Sequence, residues 1–275
     1  MKLLHRVFDF YVNSSIHVAL AVLALLFITI VEFDLVVSYS LCGFVFFSTI
    51  SAYNFVKYAK IAGLHHRSLT QTLKAIQIFS AICLVAAIYF GLKQAFETLV
   101  VTFLFGLLTL LYAVPFRHKR NLRSVSGLKI FIVALVWAGV TVVLPLIASE
   151  NGFKSTQVIV FVQRVLFIIV LTLPFEIRDL PYDTATLRTI PQKMGILKAK
   201  KVGYLLLLCC FMLEFLKGEN THFAFILSML FVHVLTGLSL LYAEKRQARY
   251  YASFWVESLP VVWLGILLLS IHFFA

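Results

Sequence analysis

Nine stretches of this chain are apolar over close to the length that a helix needs to cross a hydrocarbon core, about 20 residues. They run over roughly 16–35, 36–56, 75–92, 98–116, 128–148, 157–177, 202–216, 222–243 and 253–275. A backbone in hydrocarbon must satisfy its own N–H and C=O groups, which leaves helices and closed barrels. The runs are continuous and lack the period of two that a barrel strand carries, so the pattern predicts helices. Of the 275 residues, 61% are hydrophobic and only 13% charged, a balance that soluble globular domains do not show. The expected fold class is an all-α integral membrane protein with nine transmembrane helices, forming one polytopic domain over residues 1–275. The seventh run is short, and Ile196, Leu197 and Val202 carry its pattern back through Lys198–Lys201. The first run is too long for the core of a cleaved signal and lacks a small-residue cleavage site, so it reads as a retained span.

Charge sets the expected orientation. Of the 24 Lys and Arg residues, 20 fall at the N-terminus or in alternate loops, which marks those loops as cytoplasmic. The opposite connections carry Lys93, Lys154 and Lys217 beside Glu32, Asp34, Glu97, Glu150 and Glu219. The N-terminus is therefore expected inside, the C-terminus outside, and the protein in the cytoplasmic (inner) membrane. The net charge of +12 is explained by bases that cap spans, so no nucleic-acid partner is expected. Cys42, Cys83, Cys209 and Cys210 lie inside spans without metal-ligand spacing and read as packing residues.

The polar residues that stand out are in the cytoplasmic loops. Residues 176–195 read EIRDLPYDTATLRTIPQKMG, at the end of the sixth run. If the helix continued, Glu176, Asp179 and Asp183 would share one face, but Pro181 opposes that. Carboxylates at this spacing suit Mg²⁺, which takes one or two carboxylates, keeps water and is completed by phosphate oxygens. Arg178 and Arg188 could then meet the phosphate directly. The competing reading is an interfacial salt-bridge cluster in which the arginines neutralise the acids.

Residues 110–129, LLYAVPFRHKRNLRSVSGLK, place Tyr112 and the guanidinium groups of Arg117, Arg120 and Arg123 where an anion pocket could form; a purely topological role for the charges is the alternative. In residues 50–74, ISAYNFVKYAKIAGLHHRSLTQTLK, His65 and His66 are adjacent, diverge along a helix and have no carboxylate with them, which makes a poor metal site. Inside the spans, Glu214, Glu257, Arg164 and His233 are ionisable. Such residues usually face the bundle interior and pair with one another, for instance Arg164 with a carboxylate. Glu257 lies one turn into the ninth run, at the cytoplasmic side where the motif loops gather.

The 176–195 segment resembles the second aspartate-rich motif of the UbiA superfamily of intramembrane prenyltransferases. Asp179 and Asp183 match its aspartates, Arg178 a frequent arginine, Thr189, Pro191 and Gly195 its tail, and Glu176 stands where the family often has Asp. YAVPFRHKRNLRSVSGLK is similar to the family's Tyr-x-x-Pro element and basic loop. The resemblance implies a nine-helix bundle that transfers an isoprenyl group from a polyprenyl diphosphate to a lipophilic acceptor, with Mg²⁺ between two aspartate-rich motifs. The first motif, Asn-Asp-x-x-Asp-x-x-x-Asp, falls on Asn54, Phe55, Tyr58 and Ala62, so its aspartates are lost.

Three functions follow as alternatives. The chain is a divergent prenyltransferase acting at a cytoplasm-facing cavity, or a catalytically inactive relative that binds a phosphorylated prenoid lipid, or a membrane subunit with protein partners. In the first, Asp179 and Asp183 are the catalytic residues and, with Glu176, hold Mg²⁺. The resemblance then implies a diphosphate site of Asn54, Lys57, Lys60, Tyr112, Arg117, Lys119, Arg120 and Arg178, where fixed cations replace the missing metal charge.

Overall fold

The structure is a computed structural model that describes residues 2–62, 71–114, 127–149, 154–183, 187–220 and 222–274. The helices follow one another as α1 (Lys2–Asn13), α2 (Ile16–Glu32), α3 (Tyr39–Ala62), α4 (Gln71–Gly91), α5 (Phe96–Ala113), α6 (Lys129–Ala138), α7 (Leu144–Ala148), α8 (Ser155–Asp179), α9 (Ile190–Met194), α10 (Ile196–Met212), α11 (Phe223–Leu241) and α12 (Leu259–Phe274). π-helical turns at Gly139–Val143 and Tyr251–Val256 join α6 to α7 and lead towards α12. Among the described residues there is no strand.

Each apolar run falls on one of these helices, except the fifth, which covers α6, the π-helical turn Gly139–Val143 and α7. Seven helical segments are long and apolar enough to cross a membrane, and α1 with α2, bent by 53°, would make an eighth. The seventh run begins at Ile196, and its 17-residue helix is continued by the 3-10 stretch Leu213–Asn220. The chain is thus an all-helical, multi-pass membrane protein.

α8 runs through the centre, with Phe167, Ile168, Leu173 and Ile177 fully buried, packed against α6, α10 and α11. α10 approaches closely at Gly203, where an added Cβ would lie 2.4 Å from Leu240 Cδ2 and 2.9 Å from Leu173 Cδ1; small residues let helices meet in this way when no water drives them together. Around this core, α4 and α5 expose Ile78, Val85, Phe103 and Leu104. Such a surface suits lipid and not water.

The α1–α2 corner is held by α3. Ser15 adopts a left-handed backbone with φ 64°, and its hydroxyl donates to Asn54 Oδ1 at 2.8 Å, while Asn54 Nδ2 donates to Ser14 O at 3.0 Å. Lys57 Nζ and Tyr58 Oη both donate to Asn13 O, at 3.1 and 2.9 Å. Four consecutive polar contacts therefore tie the end of α3 to the bend.

The far end of the bundle carries a buried charge cluster. Lys217 Nζ lies 2.6 Å from Glu32 and 2.6 Å from Glu214, and Gln163 Nε2 donates to Glu214 at 2.9 Å. Arg164 does not take a carboxylate partner by hydrogen bond, as the sequence suggested. Its guanidinium donates to Leu25 O and Thr29 Oγ1, each at 3.2 Å, and lies 5.3 Å from the Trp263 ring. Lys217, which the sequence placed in a connecting loop, takes both acids because the 3-10 stretch turns it inward.

Two outcomes are expected. Lys217→Ala strands two buried carboxylates and should cost about 3–5 kcal/mol, seen as a lower unfolding midpoint in detergent that Glu32→Gln and Glu214→Gln together partly restore. Asn54→Ala removes both corner bonds and should cost about 1–3 kcal/mol, with faster proteolysis at residues 13–15.

Candidate functional site

Between α2, α3, α5, α6 and α7 lies an apolar cavity with an empty volume of about 1020 Å³ including its mouth. Phe44, Val45, Phe105, Val136, Trp137 and Leu144 form much of its wall. Gly106 faces into it, with nothing within 4 Å of where a Cβ would stand. Tyr53 belongs to the same wall, its hydroxyl accepting from Trp137 Nε1 at 2.6 Å. It is also within electrostatic reach of Glu257 and Tyr112. Tyr53 therefore joins the apolar cavity to a polar head.

That head is assembled from three helix ends. α8 carries Glu176, Arg178 and Asp179 to its last turn, and Asp183 follows one turn later, its N–H bonded to Asp179 O at 2.8 Å. The helix ends at Asp179, two residues before Pro181, so Asp183 lies beyond its last turn. Glu176 and Asp183 instead converge on Lys129 at the start of α6, with Nζ 2.9 Å from Glu176 Oε1 and 3.0 Å from Asp183 Oδ2. All three are largely buried, with side-chain exposures of 14% for Lys129, 6% for Glu176 and 14% for Asp183. Asp179 takes Arg178, Nε to Oδ1 at 2.8 Å.

The segments around this cluster are stitched together. Gly127 N–H donates to Leu187 O at 2.9 Å, in a backbone with φ 76° that glycine accommodates. Gln192 Oε1 accepts from Thr189 N–H at 3.0 Å, and Gln192 Nε2 donates to Asp183 O at 3.3 Å. The Thr-Ile-Pro tail of the motif thus starts α9 and anchors the backbone of Asp183. Gly195, at φ 80°, breaks α9 from α10.

Facing these groups, α3 brings Asn54 and Lys57. Asn54 is buried, and its amide serves the α1–α2 corner. Lys57, besides its bond to Asn13 O, lies within electrostatic reach of Glu257 and Arg178, and Glu257 in turn reaches Lys57 and Arg178. Lys60 is on the same helix, but its side chain lies outside the described residues, as do Arg117, Lys119, Arg120 and Arg123. Tyr112 is buried and lines the cavity. The structure therefore brings Glu176 and Asp183 together on Lys129 and Asp179 onto Arg178, with Lys57 and Glu257 within electrostatic reach of Arg178.

Lys129 is the residue that sequence reasoning passed over. A lysine that opens a span after a basic loop looks like one more topological charge, and its partners lie 47 and 54 positions away in the chain. Tyr53 was likewise hidden among the aromatics of a greasy helix.

No family model matches the chain, and no curated protein sequence matches it. Solved structures do. A UbiA homolog from Archaeoglobus fulgidus superposes with a TM-score of 0.58 at 11% identity, over 96% of this chain and 99% of that one. The same homolog bound to Cd²⁺ gives 0.55 at 12%, over 94% and 99%. A digeranylgeranylglyceryl phosphate synthase gives 0.56 at 16%, over 98% of both chains. The all-helical membrane fold expected from the 176–195 segment is therefore found: end to end, this chain is similar in fold to a UbiA-type helical bundle.

Proposed function

We propose that this chain is a divergent UbiA-like prenyltransferase that moves an isoprenyl group from a polyprenyl diphosphate to a lipophilic acceptor. The observation that carries the reading is the apolar cavity, whose wall residue Tyr53 lies within electrostatic reach of the acid Glu257. An isoprenyl chain is apolar along its length and bears its charge at one end, which matches that arrangement. In this reading all nine helical runs span the membrane, the head and the N-terminus face the cytoplasm, and the C-terminus lies outside.

The chemistry asked of the site is ionisation of the allylic C–O bond, with the electron pair leaving on the diphosphate. Lys57 and Arg178, joined by Lys60 and the basic residues Arg117, Lys119 and Arg120, hold the diphosphate and stabilise its developing charge. Asn54 and Tyr112 border it. Tyr53, Phe44, Phe105 and Trp137 present aromatic faces to the allylic cation, and the apolar wall excludes water that would quench it. The acceptor attacks the cation and loses a proton. Asp179 orients Arg178, and Asp183 holds Lys129.

A divalent cation on Glu176, Asp179 and Asp183 is what the resemblance implies, and one UbiA homolog of this fold is described with Cd²⁺. Bound Mg²⁺ would add Lewis-acid charge to the leaving diphosphate. The residues here fit it poorly: the carboxylates meet Lys129 and Arg178, and no three His, Cys, Asp or Glu among the described residues are grouped to hold a metal. No step is assigned to it.

A second reading, binding of a phosphorylated prenoid lipid without turnover, is favoured by the loss of every carboxylate at Phe55, Tyr58 and Ala62 of α3. A subunit role in a larger complex is the third.

The deciding experiment incubates the protein in nanodiscs with radiolabelled geranylgeranyl diphosphate and a membrane lipid extract. Diphosphate release with a labelled lipid product supports the enzyme, binding without release supports the lipid binder, and no binding removes both. Lys57→Ala and Arg178→Ala should each weaken binding about 10- to 100-fold, the scale of a lost charged hydrogen bond. Asp179→Asn with Asp183→Asn should abolish turnover. Gly106→Phe should fill the cavity and shift preference from geranylgeranyl to geranyl diphosphate, measured as a ratio of initial rates.

A further inference from the structure

We infer that the ammonium of Lys129 occupies the place of a divalent cation at the cavity head, so that this chain binds its diphosphate without metal. The metal part stands on the geometry alone; the diphosphate part rests on the function proposed above.

Glu176 and Asp183 reach the same Nζ from two different segments, at 2.9 and 3.0 Å. A magnesium ion bridging them would need the same oxygens at about 2.0–2.1 Å in an octahedral shell. The ammonium already fills the space between them. Its burial matters, since an exposed lysine would yield to a doubly charged ion, whereas this one is held at 14% exposure between carboxylates at 6% and 14%. Asp179 offers no alternative while it is paired with Arg178 at 2.8 Å.

The opposite wall completes the argument. The resemblance would place a second carboxylate set at the end of α3, and the sequence there has Asn54, Phe55, Tyr58 and Ala62 instead. Lys57 adds a positive charge instead, within electrostatic reach of Arg178. Glu257 is the acid remaining opposite, and it faces these two cations. Fixed ammonium and guanidinium groups thus stand where metal charge would be. An ammonium has three donors, and two of those on Lys129 meet carboxylates, which leaves one for a phosphate oxygen.

The test uses the full chain in detergent and Mn²⁺ as probe, with free Mn²⁺ followed by electron paramagnetic resonance. The wild-type protein is expected to bind no stoichiometric Mn²⁺ at millimolar concentration. Lys129→Ala should gain one Mn²⁺ per chain, lost again when Asp183→Asn is added. Stoichiometric binding by the wild type that Asp183→Asn abolishes overturns the inference, and this arm needs no variant of Lys129 to fold. A folded Lys129→Ala protein that takes up no Mn²⁺ overturns it as well; Lys129→Arg, which keeps the charge, should remain metal-free. With geranylgeranyl diphosphate as ligand, affinity in Mg²⁺ and in chelator should agree within twofold, and a large loss in chelator overturns the inference. If the diphosphate binds in neither buffer, the proposed function fails, while the Mn²⁺ result still decides the role of Lys129.

Discussion

A charge away from water must find its partner within the protein, and in a bundle of this composition that constraint organises both ends. A stranded carboxylate in such surroundings costs several kcal/mol. Each end answers with one lysine shared by two acids: Lys217 between Glu32 and Glu214, and Lys129 between Glu176 and Asp183. The two clusters differ in what surrounds them. The first is closed by Gln163 and lies beside Arg164 and Trp263. The second has Arg178 beside it, with Lys57 and Glu257 within reach of Arg178, at the head of an apolar cavity. In the function proposed above, the first works as a clasp and the second as a site.

The cavity exists because the helices around it are irregular. α5 contributes Gly106, which leaves space where a side chain would be. α6 passes through a π-helical turn before α7, and such turns re-aim side chains at functional places. There Gly139 accepts the Phe105 ring, whose Cζ would lie 2.0 Å from an added Cβ. The bend between α1 and α2, clamped by Asn54, Lys57 and Tyr58, fixes the end of α3 that forms one side of the head. Asn54 and Lys57, which the sequence suggested as phosphate ligands, thus build part of the frame of the bundle.

The helices were legible because their cause is local. A continuous apolar run has one way to satisfy its backbone in lipid, so each of the nine runs became a helix within a few residues of its expected ends, including the start of the seventh at Ile196. α8 ended at Asp179, just before Pro181, while it runs through Pro174 inside its length. α1 was not legible as a helix, since it is short and mixed in polarity and is held by Phe8 meeting Tyr250 and Phe254 and by Asp9 meeting Arg249. The pairing of Arg164 was misjudged for a related reason: which cation reaches Glu214 depends on how a 3-10 turn aims Lys217.

By itself, then, the sequence determined a multi-pass helical protein with a cluster of acids and bases at the end of its sixth apolar run, because apolarity, helix period and proline act over a few residues. Only the tertiary structure decided that Lys129 stands between Glu176 and Asp183, that Tyr53 and Trp137 meet in the cavity wall, and that Asn54 and Lys57 of α3 clamp the bend between α1 and α2. Those are contacts between residues tens of positions apart, and the spacing along one helix carries no record of which neighbour the bundle will press against it.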